Sequence, residues 1–185
     1  MRKKYLFEAI IKQLNKEPKI TMKKIIAVCG SNGDDETLTE QTLKMAEDVG
    51  FLIAKNGGIL ICGGLSGVME FSAKGAKKAG GITVGILPGK KEDANNYIDV
   101  PIATNLGFSR NYMIINAADS IIAICGRWGT LNEVSFAITL GKKVILLSSS
   151  GGIASFFSKE DSLKILDRKP YTAKTPEEAV NLAFI

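Results

Sequence analysis

The chain has 185 residues, of which 45% are hydrophobic, so one domain can bury a full core without disulfides or structural metals. The net charge is +5, but the first 24 residues carry eight Lys or Arg and two Glu, which leaves the remainder at −1. This confinement of the basic residues argues against nucleic acid as a partner of the body. No apolar run approaches the roughly 20 residues of a membrane span. The three widely spaced cysteines fit no disulfide framework, and no signal peptide is apparent, so we expect a cytoplasmic protein.

The absence of histidine restricts the chemistry further. It excludes Ser-His and Cys-His nucleophile pairs, histidine general bases and most zinc or copper sites. Any acid–base chemistry must therefore use Asp, Glu, Lys, Tyr or the substrate itself.

Residues 1–22 are predicted to be a basic N-terminal extension, and residues 23–185 a single domain. Residues 1–15 have the spacing of a short amphipathic helix, which Pro18 interrupts. The extension is either dispensable or a helix that packs on the body or on a partner. A salt-sensitive contact with membrane or nucleic acid is a further hypothesis for this segment.

The body alternates short apolar strands with helices. Strands are predicted at 24–29, 59–62, 82–87, 98–104, 120–125 and 143–147, and helices at 36–56, 67–79, 108–118, 130–140 and 176–183. Pro101 weakens the fourth strand, while Thr175 and Pro176 are typical of a helix start. The alternation indicates a Rossmann-like, doubly wound parallel sheet in a three-layer α/β/α sandwich. Ligands of such folds bind outside the carboxyl ends of the strands, where the strand order reverses.

Three strands end in glycine turns, which read VCGSNG (28–33), ICGGLSGVM (61–69) and ICGRWGT (124–130). Glycine lets the backbone approach a ligand closely, and the helix N-terminus that follows favours an anion, above all phosphate. The alternative is that these glycines only permit tight packing. The turns lack the Walker A ending and the G-x-G-x-x-G pattern, which disfavours nicotinamide-dependent hydride transfer.

The three turns together resemble the Lonely Guy (LOG) family, long labelled "possible lysine decarboxylase". The family fingerprint is P-G-G-x-G-T-x-x-E, preceded by an Arg-Lys pair; residues 125–133 read CGRWGTLNE, and Arg110 and Asn111 stand at the pair. The departures are Cys125 for Pro, Arg127 for Gly and Asn111 for Lys. They place the chain near a branch that resembles a molybdenum-cofactor carrier protein.

The resemblance implies binding of a nucleoside 5′-monophosphate and hydrolysis of its N-glycosidic bond, which releases the base and ribose 5-phosphate. Arg110 and Glu133 are the implied catalytic residues. The implied phosphate- or nucleotide-binding residues are Gly30, Ser31, Asn32, Gly63, Gly64, Gly67, Val68, Met69, Arg110, Asn111, Gly126, Arg127, Trp128, Gly129 and Thr130.

The residues themselves are compatible with this chemistry. Cleavage of a ribosyl C–N bond builds positive charge on the sugar, which a carboxylate such as Glu133 can stabilise. Glu133 is predicted in the first turn of a helix, and Arg110 is suited to clamp phosphate or ribose hydroxyls. The alternatives are a capping box formed by Thr130 and Glu133, and a plain surface arginine.

Other candidates also have two interpretations. Arg127 either adds a phosphate contact or fills the space of the base, and Trp128 either stacks on a base or serves packing or oligomer contacts. Met69 is expected in the core. The three cysteines, which each precede a strand-ending glycine, either hold a soft metal or a thiol-reactive ligand, or act as small buried hydrophobes. They are Cys29, Cys62 and Cys125.

Two functions therefore remain open. The first is hydrolysis of a nucleoside monophosphate with no required cofactor. The second is a non-catalytic carrier or sensor of a nucleotide or of a molybdopterin-type, phosphorylated pterin. The resemblance also implies a homo-oligomer, a dimer or a tetramer. Nothing in the residues favours lysine decarboxylation, because no lysine has a recognisable pyridoxal-phosphate context.

Overall fold

The computed structural model describes residues 22–159 and 168–185, which form one parallel sheet flanked by helices. The strands are β1 Ile25–Gly30, β2 Ile59–Cys62, β3 Ile82–Leu87, β4 Val100–Ala103, β5 Ser120–Ile124, β6 Lys143–Leu147 and β7 Tyr171–Ala173. The helices are α1 Glu40–Lys55, α2 Val68–Lys78, α3 Arg110–Ala117, α4 Trp128–Thr139, α5 Gly152–Phe157 and α6 Pro176–Phe184. None of them is long and apolar enough to cross a bilayer. The helix predicted over residues 1–15 lies outside the described residues.

The sheet is buried on both faces, which explains why its strands are continuously apolar. Side chains of β1 alternate between two cores: Ile26 and Val28 pack with α1, α2 and α6, whereas Ala27 and Cys29 pack with α3, α4 and α5. This alternation is the two-residue period of a strand. The predicted Rossmann-like α/β/α sandwich is confirmed.

The strand order is β4-β3-β2-β1-β5-β6-β7, and every pair is parallel. The order therefore reverses at β1, which pairs with β2 on one side and with β5 on the other. Gly30 at the end of β1 lies in register with Ile124 at the end of β5. The reversal point is where an open α/β sheet leaves a crevice for a ligand.

Two elements of the structure have no counterpart in the sequence prediction, namely α5 and β7. The helix has six residues and follows a run of serines and glycines, while the strand has three residues. Segments this short carry too few side chains for a period to be visible. The cap predicted at Thr175 is confirmed, since its side chain accepts a hydrogen bond from the Glu178 amide at 3.2 Å.

Candidate functional site

A cavity of about 370 Å³ opens at the carboxyl ends of β1 and β5, at the reversal of the strand order. The predicted site residues that line it are Gly30, Ser31, Asn32, Met69, Arg110, Asn111, Arg127, Trp128, Gly129, Thr130 and Glu133. Five others lie outside the lining: Gly63, Gly64, Gly67, Val68 and Gly126. The cavity is also lined by four residues beyond the predicted set, which are Cys29, Asp34, Leu65 and Phe108.

The three glycine turns are bonded to one another. Ser31 joins all three, because its Oγ accepts from the Gly126 amide at 3.0 Å and its carbonyl oxygen accepts from the Val68 amide at 3.0 Å. Ser66 Oγ in turn donates to Asn32 Oδ1 at 2.8 Å. The amides of Gly126 and Val68 are thus bonded to a neighbouring turn and are not available to a ligand. At these two positions the turns serve tight packing, which was the alternative to phosphate binding.

Two glycines are required by this close packing. Gly67 has a φ of +69°, and a Cβ there would lie 2.5 Å from the carbonyl oxygen of Ser31. Gly126 has a φ of +98°, and a Cβ there would lie 2.4 Å from Cβ of Thr130. Both positions combine a left-handed backbone with a steric limit, so they shape the cavity without lining it.

The N-terminus of α4 faces the cavity without a cap. The helix begins at Trp128, and Arg127 at its N-cap position makes no side-chain capping bond. The amides of Trp128, Gly129 and Thr130 therefore have no carbonyl partner within the helix, and all three residues line the cavity. Amides in this position, together with the helix dipole, form a site for an anion.

The capping box that was the alternative for Thr130 and Glu133 is wrong, and so is the predicted place of Glu133 in the first turn. Because α4 begins two residues earlier than predicted, Thr130 is already inside the first turn and Glu133 lies in the second. The Glu133 carboxylate is consequently not needed at the helix end. It is buried, with 8% of the residue exposed, and lies at the base of the cavity.

Glu133 shares this base with Arg110 and Cys29. Burial raises the pKa of Glu133 to about 7, although the charge of Arg110 and the neighbouring Cys29 thiol act in the opposite direction. Burial and the facing Glu133 carboxylate together hold the pKa of Cys29 well above its ordinary value. The thiol is therefore neutral near pH 7, whereas the carboxyl group exchanges its proton in the physiological range.

Within residues 22–159 and 168–185, Arg110 is the one arginine that is buried and lines the cavity. The residue is 7% exposed, and its Nη1 donates to Asn111 Oδ1 at 2.7 Å. Its Nε is buried with no hydrogen-bond partner, and no ion pair within 4 Å joins it to Glu133 in the described part of the chain. A buried donor of this kind is costly unless a ligand completes it. The reading of Arg110 as a plain surface arginine is wrong.

Arg127 spans the mouth of the cavity and is held by two aspartates. Its Nη2 lies 3.2 Å from Asp34 Oδ1, and its Nε lies 3.3 Å from Asp35 Oδ2. Burial acts to raise the pKa of Asp35, but hydrogen bonds from Ser31 and Thr37 and the charge of Arg127 outweigh it and keep that pKa low. The three charged groups sum to −1, so Arg127 mainly neutralises carboxylates at the mouth.

Ribose 5-phosphate is a suitable probe of this candidate anion site. We expect Arg127→Gly to weaken its binding about tenfold at low salt, because the variant leaves two uncompensated carboxylates beside the site. Asp34→Asn is expected to strengthen binding, and the double variant should fall between the two. Isothermal titration calorimetry at low and high salt measures these changes. Tighter binding by Arg127→Gly would instead mean that the arginine fills the space of the ligand.

The cysteines do not gather at one point. Cys29 and Cys62 both feel the charges of Glu133 and Arg110, and Cys62 Sγ accepts from the Gly64 amide at 3.4 Å. Cys125 Sγ instead lies 3.9 Å from Thr37 Oγ1. No cluster of three or more Cys, Asp or Glu suited to a metal occurs in residues 22–159 and 168–185. All three cysteines are buried, as small hydrophobic residues often are, and Cys29 in addition lines the cavity.

Cys125 also explains one departure from the fingerprint. Its φ is +54°, a value that the ring of proline cannot reach. Its amide donates to Ser150 Oγ at 2.7 Å, and proline has no such proton. The turn after β5 is therefore built differently from one that begins with proline.

The predicted set missed four lining residues: Cys29 and Leu65, which lie inside the quoted glycine turns, and Asp34 and Phe108. Asp34 directly follows the CGSNG turn, and Phe108 stands two residues before Arg110. Their nearness to residues already singled out was the available signal. Met69 both belongs to the core, as expected, and lines the cavity.

Comparison with known proteins places the chain in a family. A profile of the SLOG cluster4 family matches residues 23–180. A protein of Archaeoglobus fulgidus is 41% identical over 156 residues, which cover 84% of this chain and 91% of that relative. The cytokinin riboside 5′-monophosphate phosphoribohydrolase of Mycobacterium tuberculosis is 33% identical over 105 residues, 55% of this chain and 56% of the relative. The molybdenum cofactor carrier protein of Chlamydomonas reinhardtii has a TM-score of 0.75 at 35% identity, covering 86% of this chain and 95% of that one. The chain therefore belongs to the SLOG cluster4 family, a Rossmann-like family of the LOG type.

Proposed function

We propose that the chain binds a nucleoside 5′-monophosphate at the reversal of its sheet and hydrolyses the N-glycosidic bond. The observation that carries the proposal is the buried pair of Arg110 and Glu133 at the base of the cavity, beneath the uncapped N-terminus of α4. The amides of Gly129 and Thr130 would hold the phosphate. The unpartnered Nε of Arg110 would complete its bonding on a phosphate or ribose oxygen.

In this reaction the bond between C1′ of the ribose and the nitrogen of the base breaks. A water oxygen bonds to C1′, and the base leaves with the electron pair of the broken bond. The ionised Glu133 stabilises the cationic sugar and orients the attacking water, whose proton it accepts and passes to the departing base. The products are the free base and ribose 5-phosphate, as the name of the Mycobacterium tuberculosis relative implies for that enzyme.

A second candidate is a carrier of a phosphorylated pterin or nucleotide. The likeness to the Chlamydomonas reinhardtii carrier extends over 95% of that chain, whereas the likeness to the phosphoribohydrolase covers 56% of the enzyme. This role needs the anion site but does not need turnover.

The test is incubation of the purified protein with AMP and with adenosine, followed by assay of free base and ribose 5-phosphate. We expect release from AMP and more than about tenfold less from adenosine, which lacks the charged anchor. A melting temperature raised by AMP without release would favour the carrier. If AMP and related monophosphates give neither release nor a shift of the melting temperature, the hydrolase and the nucleotide carrier are both contradicted.

A further inference from the structure

A second cavity of about 350 Å³ adjoins the first, between α4 and the segment that leads into α3. The two cavities share Phe108, Asn111, Trp128 and Gly129. Because Trp128 and Gly129 form the first turn of α4, the second cavity begins where the proposed phosphate site ends. A ligand held at that helix end can therefore extend into it.

The second cavity is walled by aromatic rings that the chain leaves in solvent. Phe108 is 80% exposed and Trp128 is 81% exposed. Phe136 also lines the cavity and is fixed by an edge-to-face contact with Tyr112, with ring centroids 5.6 Å apart. Large exposed rings around a concave surface are typical of a binding site for a flat, apolar partner.

A chain of polar side chains connects the two cavities. Arg110 Nη1 donates to Asn111 Oδ1 at 2.7 Å, and Asn111 Nδ2 donates to Asn132 Oδ1 at 3.1 Å. Asn132 is exposed, and within the described residues its Nδ2 makes no hydrogen bond. An amide at this place can donate to the edge of a heteroaromatic ring.

We propose that the second cavity holds the planar ring of the ligand, a purine- or pterin-sized heteroaromatic, between Phe108 and Trp128. This inference rests on the proposed function, since the phosphate at α4 sets the direction of the ligand. The side chains of Phe108 and Trp128 stack on the flat face of the ligand, which every heteroaromatic base offers. Asn132 donates a hydrogen bond to the edge of the ligand ring. Asn111, which stands where the fingerprint has lysine, places a neutral amide in place of a cation between the two cavities.

The fluorescence of Trp128 gives a direct test, because it is the only tryptophan of the chain. We expect AMP to quench its emission and ribose 5-phosphate to leave it unchanged at saturation. In calorimetry, Phe108→Ala and Trp128→Ala should each lose about tenfold or more of the affinity for AMP, while the affinity for ribose 5-phosphate stays constant. Phe51→Ala, which removes a half-exposed ring from α1, is the matched control and should change neither affinity.

The possible outcomes distinguish a failure of the ring subsite from a failure of the proposed function. If AMP does not quench Trp128 in the wild type, and Phe108→Ala and Trp128→Ala bind both AMP and ribose 5-phosphate as tightly as the wild type does, the ring subsite is refuted and the phosphate site stands. If the two variants instead convert an oligomer into a monomer in sedimentation while AMP binding is unchanged, the rings serve a second copy of the chain. Failure of the wild-type protein to bind either ligand refutes both proposals.

Discussion

Glu133→Gln is expected to reduce the release of base from AMP by about 10²- to 10⁴-fold, the usual contribution of a positioned acid–base group. The amide has the shape of the carboxylate but can neither stabilise the cationic sugar nor accept a proton from water. Binding of AMP should persist, because the amides of α4 and the Arg110 guanidinium remain. The measurement is the rate of base release, together with the shift of melting temperature that AMP produces.

The pH dependence adds a second readout for the same carboxylate. Since the pKa of Glu133 is about 7 and the ionised form is the active one, kcat/KM of the wild type should rise with pH through about 7 and then level off. Glu40→Gln changes an exposed glutamate at the start of α1 and should leave the rate unaltered. Undiminished release by Glu133→Gln would remove Glu133 from the reaction.

The fold was predictable because its signal is local and repeated. The runs around Ile26, Ile61 and Ile122 are continuously apolar, which is typical of strands buried on both faces, and glycines mark where three of them end. The strand order is not visible in such a pattern, so the sequence predicted only the doubly wound class, from the general handedness of crossovers, and no order of strands. The edge strand β7 was missed because three residues carry no period of their own.

The residues of the candidate site were predictable only where the sequence carries a motif. Arg110 and Glu133 were identified through the fingerprint, but their burial and the unpartnered Nε depend on how α3 and α4 pack over the end of β1. The pairing of Arg127 with Asp34 and Asp35 joins positions more than 90 residues apart. No local pattern indicates such a contact, so the arginine was read only as a ligand contact or an obstruction.

Glu133→Gln should also stabilise the free protein at pH 8, and much less at pH 5. The folded-state pKa of Glu133 is about 7, against 4.5 as its ordinary value, so the unfolded chain releases this proton at lower pH than the folded chain. The free energy of unfolding of the wild type therefore falls as the pH rises from about 4.5 to 7. The neutral amide of Glu133→Gln does not lose this stability. The free energy of unfolding of the wild type is lowered by about 3 kcal/mol at pH 8 and by less than about 1 kcal/mol at pH 5.

Thermal melts at the two pH values measure this difference, and about 3 kcal/mol corresponds to a rise of roughly 6 to 12 °C in a chain of this size. Glu47→Gln is the control of opposite sign, because hydrogen bonds from Lys78 and Lys74 lower the pKa of Glu47, and its carboxylate stabilises the folded state at both pH values. An equal melting temperature for wild type and Glu133→Gln at pH 8 would show that the carboxylate is not strained by burial. A gain confined to high pH, combined with lost turnover, would mean that the chain keeps a destabilising charge in its cavity because the reaction uses it.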